Sequence, residues 1–153
     1  MDYSLNEFLA LAIGMEEEAA ERYLELADMM EAHDNQKVSK LFRDMNRYSC
    51  LHRDSIKERA GSIELPSLKS WQYRWTNLPS EVGGEEGFDY SITPYDALEY
   101  ARENEVRAMQ FYKTVAESSS DAEIKKMATE FAAEEEEHTQ MLDDLLANTK
   151  RRH

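Results

Sequence analysis

Glu135 and His138 stand three residues apart in the sequence. On a helix that spacing puts a carboxylate and an imidazole on one face, a turn apart, as two inward-facing ligands of a metal ion require. The pattern has a second copy. A shift of 86 residues lays His52 over His138, and a shift of 89 lays Glu16 over Glu105 and Tyr23 over Tyr112. All these residues fall inside apolar stripes of helical period. The first stripe runs Phe8-Leu9, Ala12, Glu16, Ala19, Tyr23, Leu26-Ala27, Met30, and the third runs Leu98, Ala101, Glu105, Ala108, Tyr112, Val115. The second is Val38, Phe42, Met45, Ser49, His52, Ile56, and the fourth is Ile124, Met127, Phe131, Glu135, His138, Leu142. Three glutamates and two histidines therefore occupy core positions. A buried carboxylate costs several kcal/mol even after relaxation, so five such groups need a common partner. A metal ion supplies one, and oxygen and imidazole donors suit iron, manganese or zinc. Taken singly the residues argue little. Glu16 lies in the run Glu16-Glu17-Glu18 and Glu135 in the run Glu134 to Glu137, as ordinary surface acids would, and a lone His52 suits a core as well as a metal. The duplication decides for the metal.

Four helices must carry these stripes. Ser4-Leu5-Asn6-Glu7 is a capping box, in which the serine oxygen and the glutamate satisfy free amides reciprocally, and it opens a helix to about Met30. Asp34 or Asn35 caps a second helix that continues to Arg59-Ala60, with Gly61 as its stop. Thr93-Pro94-Tyr95-Asp96 opens a third, with proline where its missing amide costs nothing. Ser120-Asp121-Ala122-Glu123 reads as another capping box and opens the fourth. The short polar turns predict two antiparallel hairpins, about 4–60 and 93–149, joined by a linker over 61–92. With Pro66, Pro79, Gly83-Gly84 and Gly87, that linker is too long for a turn. A helix of ~25 residues spans ~37 Å, and ~11 extended residues cover that distance. The expectation is an all-α, ferritin-like four-helix bundle, a single domain over 1–153, whose linker crosses the bundle's length. Leu68, Trp71, Tyr73 and Trp75 are expected to anchor the linker, through a short helix.

Composition narrows the function. The chain has 153 residues, 32 acidic against 18 basic side chains, and a formal net charge of −14. Nucleic acid is excluded as a partner, because phosphate neutralisation needs clustered Lys and Arg. No membrane association is expected either: the longest apolar run, Phe8 to Met15, has eight residues, far short of the ~18–20 of a span. Met1-Asp2-Tyr3-Ser4 lacks the shape of a signal peptide, and the single cysteine, Cys50, permits no internal disulfide. The expected compartment is the cytoplasm. Cys50 reads as structural, and Met30, Met45 and Met127 as core.

The doubled pattern resembles the ferritin-like domain of the rubrerythrin group. The similar segments are Ala12 through Tyr23, Glu103-Asn104-Glu105 through Phe111-Tyr112, and Glu134 through His138, which span both hairpins. The resemblance implies two irons, with Glu16 and Glu105 as terminal carboxylates, Glu135 as a bridge, and His52 and His138 as nitrogen ligands. Tyr23 and Tyr112 would hydrogen-bond the ligand carboxylates from behind. The implied chemistry is reduction of hydrogen peroxide, or oxidation of ferrous iron by dioxygen, with an external electron donor and a small-molecule oxidant. A two-fold homodimer is the expected assembly. Three departures stand out. The group's other Glu-x-x-His reads Ser49-Cys50-Leu51-His52 here, Ala108 stands where many rubrerythrins carry a further glutamate, and one cysteine cannot supply a rubredoxin-like centre. Glu16, Glu105 and Glu135 bring three negative charges to a site where two divalent ions need four. The site then holds two irons with an added anion, or one ion (iron or zinc) on Glu105, Glu135 and His138, or it is a relic. A non-catalytic protein that binds metal or a partner is the alternative to an oxidoreductase.

Overall fold

Ser4 caps the first helix as its sequence demands: its hydroxyl accepts from the Glu7 amide at 3.1 Å, and the Glu7 carboxylate accepts from the Ser4 amide at 3.0 Å. The computed structural model describes residues 3–69, 72, 73, 75 and 92–149. It contains four helices, α1 (Leu5–Ala32), α2 (Gln36–Ala60), α3 (Pro94–Ser118) and α4 (Ala122–Ala147). The first runs two residues beyond the expected Met30. Of the two candidate caps for α2, Asn35 takes the role, accepting from the Val38 amide at 3.0 Å. Asp34 instead makes the turn, at φ 60°, a left-handed conformation that Asp and Asn tolerate better than most residues. Gly61 ends α2 at φ 57°. Thr93 caps α3 ahead of Pro94.

One cap differs from expectation. The N-cap of α4 is Asp121, not Ser120, so the Ser120–Glu123 box does not form. One Asp121 oxygen accepts from the amides of both Glu123 (2.8 Å) and Ile124 (3.1 Å). A carboxylate also meets the positive end of the helix dipole more favourably than a hydroxyl does.

The helices pair as hairpins, α1 mainly along α2 and α3 mainly along α4. Two apolar clusters make the core. One gathers Tyr23, Leu26, Met30, Phe42 and Met45 of the first hairpin with Ile92, Leu98 and Leu142 of the second. The other joins Phe8, Leu9, Ala12 and Ile56 to Tyr112, Ile124, Met127 and Phe131. The end of α1 thus meets the start of α3, so these two helices run antiparallel. Ala60 belongs to one cluster and Ile92 to the other, so the connection between them runs from one end of the bundle to the other. Tyr73 and Trp75 do anchor it. Trp75 packs edge-on against Tyr23 and Tyr100, with ring centroids 5.1 and 5.3 Å away. Tyr73 lies over Gly14, where a methyl group would stand 2.8 Å from its ring. Trp71, Pro79, Gly83-Gly84 and Gly87 lie outside the described residues.

Candidate metal centre

The layer between the two clusters is polar. Glu16, Glu105 and Glu135 are 3–4% exposed although exposed acids stand next to Glu16 and Glu135 and two residues from Glu105, and Ser49 is 1% exposed. The helical stripe, not the acidity of the run, decides which glutamate goes inside.

The structure brings Glu105, Glu135 and His138 together, with one donor atom of each within 4.8 Å of the others. His138 Nδ1 is 3.3 Å from Glu105 and 3.7 Å from Glu135. The Tyr23 hydroxyl donates to Glu105 Oε1 at 2.5 Å, a bond of the kind the resemblance implies. Glu16 and His52 form a separate pair, the imidazole Nδ1 meeting the Glu16 carboxylate. The five groups read from the sequence therefore divide into three and two. The resemblance leads one to expect a carboxylate at position 49, where this chain has serine. No other acid of α2 replaces it: Asp44 pairs with Lys40 at 2.8 Å and Arg47 at 3.1 Å, and Asp54 with Arg53 at 3.0 Å.

Tyr112 departs from the expectation that both tyrosines hold a ligand carboxylate. Its hydroxyl is buried and has no hydrogen-bond partner among the described residues. Its counterpart Tyr23, at the matching place in the other hairpin, is bonded.

Charge sets the protons. Burial pushes the Glu135 carboxyl well above its usual range, and the Glu105 charge pushes it further. Burial acts on Glu105 in the same direction, but hydrogen bonds from Glu135, His138 and Tyr23 hold it below the usual value. Glu135 is thus the protonated partner and Glu105 the ionised one. Burial opposes protonation of His138, but bonding to Glu105 and Glu135 overrides it and raises the imidazole to about 11. His52 is raised to about 9: burial again opposes, and Glu134 and Glu16 outweigh it. Burial lifts Glu16, against the pull of His52. Metal-free, the layer balances its buried carboxylates with imidazolium ions and a shared proton.

Glu134 is the residue that the sequence pattern did not single out. Its carboxylate lies 2.9 Å from His52 Nε2, the nitrogen facing away from Glu16. A carboxylate there fixes the tautomer and raises the basicity of a ligating imidazole. The 86-residue shift pairs Glu134 with Tyr48, and Tyr48 stacks on His138 at 6.1 Å between centroids. That mismatch inside the repeat was the available signal.

Among the described residues, two openings reach the layer. A cavity of about 600 Å³ between α1 and α3 ends on Glu16, Glu105, Glu135 and Tyr112. Another, about 510 Å³, lies on the α2–α4 side against His52 and His138. Two carboxylates and an imidazole converging in a buried layer suit one divalent ion with positions left for exchangeable ligands, and Glu16 with His52 offers donors of the same type alongside.

No helix among the described residues is long and apolar enough to cross a membrane. No curated protein matches the chain. A rubrerythrin family model matches residues 7–75, the segment carrying Glu16, Tyr23 and His52. The chain is also similar to an uncharacterized conserved protein from Magnetospirillum magnetotacticum MS-1, known from its crystal structure. The identity is 55% and the TM-score 0.90, over 99% of each chain. A doubled carboxylate–histidine set, on two hairpins joined end to end across the bundle, together with these likenesses, makes the chain a member of the rubrerythrin family of ferritin-like proteins.

Proposed function

We propose that this protein is a non-haem iron oxidoreductase, reducing hydrogen peroxide or consuming dioxygen as it oxidises ferrous iron. The observation that carries this reading is the buried trio of Glu105, Glu135 and His138. Glu105, Glu135 and His138 would hold one ion, and Glu16 and His52, with Glu135, a second; Ser49 leaves that second place one carboxylate short. Bound iron supplies one-electron steps between its ferrous and ferric states. The chain's own residues do the rest. Tyr23 fixes the Glu105 carboxylate through its 2.5 Å hydrogen bond. Glu134 holds His52 from its outer nitrogen. His138 Nδ1 must give up a proton to ligate, and Glu135 likewise, so loading is coupled to proton release. The α1–α3 cavity admits the oxidant on the carboxylate side, while the α2–α4 opening gives an external electron donor its approach to the histidines.

Metal analysis with an absorption spectrum, on protein from iron-supplemented cells, tests the reading. Iron of at least one per chain, lost in Glu135→Ala, together with peroxide-driven bleaching or oxidation, is the expected result. Metal well below one per chain and unchanged in Glu135→Ala rules it out. Ser49 favours a second reading, a metal-binding protein without turnover. Iron binding in the parent with turnover appearing only in Ser49→Glu would establish it.

A further inference from the structure

The cavity between α1 and α3 is larger than hydrogen peroxide or dioxygen requires. Pockets of ~300–1,000 Å³ hold whole organic ligands, and this one is about 600 Å³. Its walls are mainly apolar, formed by Leu11, Met15, Ala108 and Phe111 and closed by Tyr73 and Trp75, with the polar Glu7, Gln72, Asn104 and Arg107 also in the lining. The apolar part of that lining buries hydrocarbon favourably, which hydrogen peroxide does not carry. They are also held in place. Only a glycine at position 14 lets Tyr73 lie where it does, and the Trp75 amide donates to Glu18 at 3.1 Å while its ring is wedged between Tyr23 and Tyr100. The inner end is polar. The three carboxylates meet there, and the Tyr112 hydroxyl, on a residue 1% exposed, has no partner among the described residues. A buried hydroxyl left unbonded is a cost that a ligand oxygen would remove.

We propose that this cavity binds the organic group of an alkyl or aryl hydroperoxide, ROOH, with its –OOH end against the Tyr112 hydroxyl and the carboxylate layer. The assignment names the substrate class of the oxidoreductase reading and rests on it for turnover. Binding itself does not depend on that reading. The reaction breaks the O–O bond. Two electrons from an external one-electron donor and two protons from solvent convert ROOH to ROH and water. Burial and the neighbouring carboxylates push the Tyr112 pKa well above its usual value, so the hydroxyl stays a donor. Ala108 contributes the space, since the glutamate found there in many rubrerythrins would occupy the wall with a charge.

The redox-inert alcohol 2-phenyl-2-propanol, the product of cumene hydroperoxide, is the probe. Calorimetry and tryptophan fluorescence on the iron-loaded protein should show saturable binding. Ala108→Leu and Ala108→Phe, which fill the cavity from a half-buried position, should weaken it in order of size, the larger by at least tenfold. Unchanged helicity by circular dichroism keeps the comparison valid, and the leucine variant serves if the phenylalanine variant fails to fold. Turnover of cumene hydroperoxide and of hydrogen peroxide is then compared, with a reduced viologen as donor. Absence of saturable alcohol binding, or binding equal in both variants, overturns the cavity assignment even where hydrogen peroxide is turned over. Alcohol binding blocked by the substitutions, with no peroxide of either kind consumed, supports the cavity assignment and overturns the oxidoreductase reading.

Discussion

Replacing either buried tyrosine by phenylalanine should change the metal-free protein's stability in opposite directions. Both rings are fully or almost fully buried, Tyr23 at 0% and Tyr112 at 1% exposed, so each substitution keeps the packing and removes one hydroxyl. At Tyr23 that hydroxyl donates to an ionised carboxylate at 2.5 Å. Hydrogen bonds to charged groups contribute ~1.5–3 kcal/mol, and Glu105 keeps His138 as a donor, so about 2 kcal/mol is lost. At Tyr112 the hydroxyl has no partner among the described residues, and removing it relieves the desolvation of an unbonded group. The gain there is between zero and about 1 kcal/mol, depending on how far cavity water already hydrates the oxygen. For a domain of this size 1 kcal/mol moves the melting temperature by ~2–4 °C. After chelation, Tyr23→Phe should melt about 4–8 °C below the parent, and Tyr112→Phe at or up to about 4 °C above it. Thermal and urea unfolding followed at 222 nm on both variants is the assay. Equal losses in the two, or a larger loss for Tyr112→Phe, would refute the asymmetry on which the argument rests.

Further expectations concern protons and charge. In the metal-free protein His52 and His138 have pKa values raised to about 9 and about 11, so their contribution to stability is full below about 6.5 and is lost as pH climbs through those values. Stability of chelated protein should therefore fall from neutral to alkaline pH while metal affinity rises, with protons released on loading at pH 7.5; ferrous titration in a weakly buffered indicator solution detects them, and a silent titration contradicts the layer's protonation. Ser49→Glu should destabilise chelated protein by about 3 kcal/mol, because it buries an uncompensated charge, yet raise bound metal toward two per chain. Unfolding and metal quantification on one preparation separate the two effects. Glu134→Gln should lower the His52 pKa and leave that of His138 nearly unchanged, as imidazole NMR titration would report; a shift at His138 instead would place Glu134 in the wrong partnership.

Much of this architecture could be read before any coordinates, for a physical reason. The 3.6-residue period puts Glu16, Glu105 and Glu135 in stripes with Leu and Ala, and burial follows the stripe even where Glu17, Glu134 and Glu136 are exposed neighbours. Caps at Ser4 and Thr93 are local chemistry and equally legible, and at the second helix the sequence narrows the cap to Asp34 or Asn35. Ser120 and Asp121 were not separable, because both can cap and only the approach of the chain to α4 selects one. The division of the five ligand-type groups into three and two depends on how α2 lies against α4, as does the contact of Glu134 with His52. The cavity exists because Tyr73 and Trp75 close over α1 and α3, a placement that no spacing encodes.

The polar layer between two apolar clusters has a mechanical consequence. Each helical hairpin coheres along its own length, and the halves grip each other chiefly at the two ends, so the molecule carries its least cohesive packing at its waist. An ion held by Glu16 and His52 of one hairpin and Glu135 of the other would act as a rivet through that waist. Once it is in place, the peptide chain between Ala60 and Ile92 is no longer what keeps the halves in register. A protein cut within that segment should stay assembled while metal is bound and come apart into two hairpins when a chelator takes it away.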